Sequence, residues 1–137
     1  MILTNIVYGT DLREFITGND VSDPTVREII RIKARLLWTS QDTIYDLHFL
    51  RLYFGEHQAP ESLQQQQQEF MQAQRENPFE TNQFLITVSL LNVDPNNPDL
   101  PRPGSVVSIA PMKLRLYRNC PQVDAKLHGL TTVQDAS

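Results

Sequence analysis

SDPTVREIIRIKARLLWTS, residues 22–40, carries two periods at once. Read as a helix, Val26, Ile29, Ile30, Ala34 and Leu37 fall on one stripe, with Lys33 among them. Read as a strand, Ile30, Ile32, Ala34 and Leu36 alternate with Arg31, Lys33 and Arg35. Asp23 followed by Pro24 is a helix start, a capping carboxylate and then proline at the first helical position. The abundance of Arg, Glu, Lys, Ala and Leu favours helix, so a helix over 24–38 is expected. The alternative is a strand over 27–38. It would pair with the next run through Ser40, Gln41 and Asp42, and the fold would be mainly β, a sandwich or barrel.

That next run, 43–54, is TIYDLHFLRLYF, the most aromatic part of the chain, and its composition favours strand. Tyr45, Leu47 and Phe49 share one face; Leu50, Leu52 and Phe54 take the other after a slip at Leu50, as a bulge would allow. Near the C-terminal side, 83–120 reads QFLITVSLLNVDPNNPDLPRPGSVVSIAPMKLRLYRNC. Phe84, Ile86, Val88 and Leu90 point one way and Thr87 and Ser89 the other, and Met112, Leu114 and Leu116 alternate with Lys113, Arg115 and Tyr117. A long hairpin over 83–118 is the simplest reading. Its connection, 94–104, holds four of the nine prolines, which stiffen it and keep it extended. Pro111 makes the second strand an edge or a bulged one.

Three segments complete the outline. Residues 2–8 form a short strand, and 10–17 one or two helical turns capped by Thr10. Residues 61–76 (ESLQQQQQEFMQAQRE) form a helix with a thin apolar stripe, which lies solvated or packs on a partner. The expected whole is an α+β domain over 1–120. Its antiparallel sheet is built on the 83–118 hairpin with two helices packed against it, and 121–137 is a C-terminal arm. The expected core holds Ile29, Ile30, Leu37, Trp38, Leu47, Phe49, Phe84, Ile86, Val88, Leu90, Leu114 and Leu116.

Composition excludes several roles. A single cysteine, Cys120, rules out an intramolecular disulfide. The first residues lack a basic region ahead of an apolar run, so no signal peptide is read there, and no apolar run reaches membrane-spanning length. A soluble protein, cytoplasmic or within a virion, is expected. The net charge of −4 argues against a general nucleic-acid binder. Charge is nonetheless sorted: 27–35 and 113–118 carry +3 each, while 1–26 and 57–80 carry −3 each. Such basic strips are ordinary solvated faces or meet an acidic surface on a copy or another partner.

Candidate chemistry is thin. Asp46 and His48 lie two apart, and Glu56 and His57 follow, but a metal site needs three or four converging ligands. Cys120 with His48 or His128 as base has no signature around it. The five glycines do not cluster, so no phosphate loop or dinucleotide fingerprint is present, and no cofactor is expected. A helix-turn-helix regulator over 24–38 and 43–54 is a further alternative, although its second element has Arg51 as its one basic residue.

The expectation is therefore a non-catalytic assembly subunit. It would contact copies of itself or partner proteins through loop 94–104, the Gln-rich helix and the C-terminal arm. By analogy of composition alone, a virus or phage particle component fits. The contact residues expected are Asn96, Asn97, Leu100, Arg102, Lys113, Arg115 and Arg118. The alternatives are a small regulatory or enzymatic domain using Asp46, His48 or Cys120, and the helix-turn-helix regulator.

Overall fold

Asp23 starts a helix, as its position implies: its carboxylate accepts from the Thr25 amide at 2.9 Å and from the Thr25 hydroxyl at 2.6 Å. The helix ends after five residues, and the chain continues as the longest strand of the fold. The computed structural model describes residues 4–6, 9–55, 85–117 and 119–134, together with the single residues 65, 69 and 72. Among the described residues the elements are β1 (Thr4–Ile6), α1 (Gly9–Gly18), α2 (Pro24–Glu28), β2 (Ile30–Ile44), β3 (Leu47–Gly55) and β4 (Ile86–Leu91). They continue with β5 (Val106–Ile109), β6 (Lys113–Tyr117), β7 (Cys120–Asp124) and β8 (Leu130–Gln134).

The α+β expectation is overturned. The described chain is mainly β, one mixed sheet of eight strands in the order β6-β7-β4-β3-β2-β5-β8, with β1 parallel to β2. Residues 30–38 are strand rather than helix because alternation matches burial there. Ile30, Ile32, Ala34 and Leu36 are buried, while Arg31, Lys33 and Arg35 are half-buried on the other face. A helix would have turned some of those four apolar side chains into water. This arrangement also removes the helix-turn-helix, since 30–38 and 47–54 are paired strands and of 24–54 only 24–28 is helical.

β2 and β3 form a hairpin, but its turn is not at Ser40–Asp42. The strands run on to Ile44 and Leu47, and Tyr45 and Asp46 turn the chain with φ of 51° and 64°. Two consecutive positive φ values are the mark of the tight hairpin turn whose twist matches the strands. The bulge lies on β2, where Leu37 is the extra residue between Leu36↔Phe54 and Trp38↔Tyr53, and not at Leu50. Along β3 burial alternates from Phe49 to Leu52, and Tyr53 is buried as well as Phe54. Leu50, Leu52 and Phe54 point into the core, and Phe49 and Arg51 point out.

The 83–118 hairpin does not exist. β4 pairs with β3 and β7, whereas β5 pairs with β2 and β8. The real hairpin is the next one. β6 pairs with β7 and β5 with β8, so 106–117 runs against 120–134 as one long antiparallel pair. The pair is broken at Ala110–Met112, opposite the 3-10 turn Leu127–Gly129. Across the break the Ala110 amide donates to the Gly129 carbonyl at 2.9 Å, and the Met112 amide to the Asp124 carbonyl at 2.8 Å. Pro111 has no amide to donate, which is why the break falls there. One half of this pair joins β2 and the other joins β4, so the sheet curls back on itself as a barrel of five long strands. One core cluster draws buried side chains from β2, β3, β4, β5, β6 and β7, with Leu12 of α1 among them.

Residues 121–134, expected as an arm, are integral to the barrel: β7 lies between β4 and β6, and Val123 is fully buried. Of the expected core, Leu47 is exposed, and Ile29, Leu37, Trp38, Phe49 and Leu116 are half-buried. Phe84 and the expected helix 61–76 lie outside the described residues, except for residues 65, 69 and 72 within that helix, which are helical.

Candidate binding face

Loop 92–105 is not an extended projection. Asp94 accepts the Asn96 amide at 2.9 Å on its side chain and the Asn97 amide at 3.0 Å on its carbonyl. Asn97 repeats the pattern two residues on, with its side chain taking the Asp99 amide at 2.9 Å and its carbonyl the Leu100 amide at 3.1 Å. Two side-chain-capped turns in series fold the loop back. Leu100 then packs against the core cluster, and Pro101 is buried. The loop is tied to β2: the Gly104 amide donates to the Leu36 carbonyl at 2.7 Å, the Leu36 amide to the Ser105 carbonyl at 2.9 Å, and Arg35 to the Gly104 carbonyl at 2.7 Å. Gly104 has a φ of 95°, which suits glycine. Of the four loop residues expected to touch a partner, Asn96 and Arg102 are exposed, Asn97 is half-buried, and Leu100 faces the barrel.

The three basic residues expected beside them fare differently. Lys113 and Arg115 are exposed on β6, the strand at one end of the sheet order. Arg118 lies outside the described residues. Lys113 and Arg115 sit two apart on one strand face, and register carries that face across the sheet. Lys113 is opposite Asp124, Asp124 opposite Ser89, and Ser89 opposite Arg51. A shallow groove of about 370 Å3 follows these rows, with Arg51, Lys113 and Arg115 along it. Arg115 lies 4.0 Å from Asp124, with the two side chains 62% and 32% exposed, a pairing that contributes little in water.

At one end the groove is apolar. Ile44 pairs with Leu47 and Phe49 with Leu91 across adjacent strands, and Met112 closes the group. Leu91 is 50% and Met112 38% exposed, and Tyr45 at the turn is 94% exposed. Trp38 and Tyr53 stack at 5.2 Å between ring centroids and 19° between planes, on the β2–β3 part of the same sheet. Sequence reading missed Phe49, Arg51 and Leu91 as surface residues. The signal was present in the outward set of β3, but assigning it needs the partner strands.

The residues weighed for chemistry stand apart by environment. Asp46 is in the hairpin turn. His48 is exposed on β3, with its Nδ1 3.3 Å from the Thr43 hydroxyl and its amide donating to Asn92 at 3.4 Å. Cys120 is buried at the start of β7, and His128 is exposed in the 3-10 turn. Among the described residues no three His, Cys, Asp or Glu side chains gather as a metal site. No helix among them is long and apolar enough to cross a membrane.

No protein-family model matches the chain, and no curated protein matches its sequence. Among solved structures it is similar to the OB domain of Ta0387 from Thermoplasma acidophilum, at 8% identity and a TM-score of 0.40, over 92% of this chain and 80% of that one.

Proposed function

We propose that the chain is a non-catalytic binding domain of a larger assembly, contacting copies of itself or partner proteins through the outer face of β3, β4, β7 and β6. The observation behind this is the contiguous apolar group Ile44, Leu47, Phe49, Leu91 and Met112, left in or near water at the end of a basic groove. Single exposed apolar residues are ordinary, but a contiguous set bordered by charged side chains is the composition of a contact surface. The cytoplasm or the interior of a virus or phage particle is the setting that belongs to this reading. Native mass spectrometry over a concentration series tests it. Wild-type chain gives oligomers, or a complex with its partner, and Leu91→Asp with Met112→Asp gives monomer with an unchanged thermal midpoint. A strictly monomeric wild type that binds a metal or small ligand contradicts the reading.

A second reading is single-stranded nucleic acid. It draws on Phe49 and Arg51 lying together in the groove, since an aromatic ring beside a cation suits a stacked base and its phosphate. The net charge of −4 weighs against it. Fluorescence anisotropy with a labelled oligothymidylate decides: salt-sensitive binding lost in Arg51→Ala supports it, and no binding at low salt removes it.

A further inference from the structure

The groove is basic in a molecule that is acidic overall, and the segment 9–29 of the same molecule carries the opposite sign. Asp11 and Glu14 on α1, Asp20 and Asp23 in the connection, and Glu28 at the end of α2 are all exposed. Only Arg13 and Arg27 oppose them over 9–29, which leaves a net −3 on that segment. Asp23 is firmly ionised, because hydrogen bonds from Thr25 hold its carboxyl below the usual range. Among the described residues that line the groove, Arg51, Lys113 and Arg115 stand with one carboxylate, Asp124.

We infer that the basic groove on β3, β4, β7 and β6 takes the acidic α1–α2 segment, residues 9–29, of a second copy of this chain. The inference rests on the protein-contact reading of that face. A groove-to-groove meeting would set Lys113 and Arg115 against their own copies. Groove against α1–α2 sets Lys113 and Arg115 against an excess of carboxylates, and such complementarity fixes which surfaces meet. Ile44, Leu91 and Met112 at the groove's end supply the apolar area that charge alone does not. Because the two surfaces are different, each copy keeps one of each sign to offer, and association continues to a ring or a filament unless two copies satisfy both at once.

Charge exchange tests this, using the full chain and sedimentation velocity at low and high salt. Lys113→Glu with Arg115→Glu reverses the groove. Glu14→Lys with Glu28→Lys reverses the charge of the helical segment and leaves Asp20, which accepts the Ser22 amide, and the capping Asp23 in place. Each pair of changes weakens self-association by on the order of tenfold or more. Mixing the two variants restores it, as does combining all four changes in one chain, and thermal melting verifies that each variant is folded. Folded variants whose association ignores the charge changes, or that no mixture rescues, overturn the inference. In that case Leu91→Asp separates the two levels. If it abolishes association, the face is an interface with another occupant; if it does not, the face itself is wrong. A monomeric wild type whose Lys113→Glu/Arg115→Glu variant loses oligothymidylate binding assigns the groove to nucleic acid and overturns the inference.

Discussion

Asp23 accepts two hydrogen bonds from Thr25, and both favour its ionised form. Its folded pKa is therefore below its unfolded one. The stability it contributes is present above the unfolded value and is lost as pH falls through the folded value. Asp23→Ala should melt at a lower temperature than wild type at neutral pH. The gap should narrow below about pH 4, as both chains approach the state without a charged cap. Melting curves from pH 7 to pH 2 measure this, and a gap independent of pH would mean the cap is not electrostatic. This residue was legible from sequence because capping is local: Asp, then Pro, then Thr suffices. Leu47 was not, because its exposure depends on where the hairpin turns, two residues earlier.

The 15-residue β2 shows why local reading failed at the level of elements. Its residues favour helix individually, and a helical stripe exists on paper. The strand wins because β1, β3 and β5 all pair with it, burying Ile30, Ile32, Ala34 and Leu36. Propensities amount to fractions of a kcal/mol per residue, while each buried aliphatic side chain is worth about 1.5–3 kcal/mol. The hairpin over 83–118 failed for a related reason. Two alternating runs next to each other in sequence need not be partners, and β3 and β7 outcompeted β5 for β4. The strand-rich nature of 86–91 and 113–117 was legible; their pairing was not. The Tyr45–Asp46 turn offers a test. Both residues have positive φ, which Asn-Gly adopts with less strain. Tyr45→Asn with Asp46→Gly should raise the denaturation midpoint. A lower midpoint would show that the turn has another geometry.

At the scale of the molecule, the barrel closes only because 106–117 and 120–134 pair along their length and each reaches a different part of the sheet. The C-terminal residues are thus framework. Truncation after Cys120 removes β7 from between β4 and β6, along with the fully buried Val123. The shortened chain should lose cooperative melting and dispersed amide resonances; a truncated chain that stays folded would contradict barrel closure. The basic strip on β6 was visible in the sequence as alternating Lys113 and Arg115. Its alignment with Arg51, and the apolar group beside it, became visible only when four strands from distant parts of the chain were laid side by side. Amide hydrogen exchange in dilute and concentrated protein tests whether this face is the contact surface. Association should slow exchange at residues 47–51, 89–91 and 112–117 and leave β8 unchanged. Slowing confined to β8 or loop 94–104, or none at any concentration or with any partner bound, would contradict it.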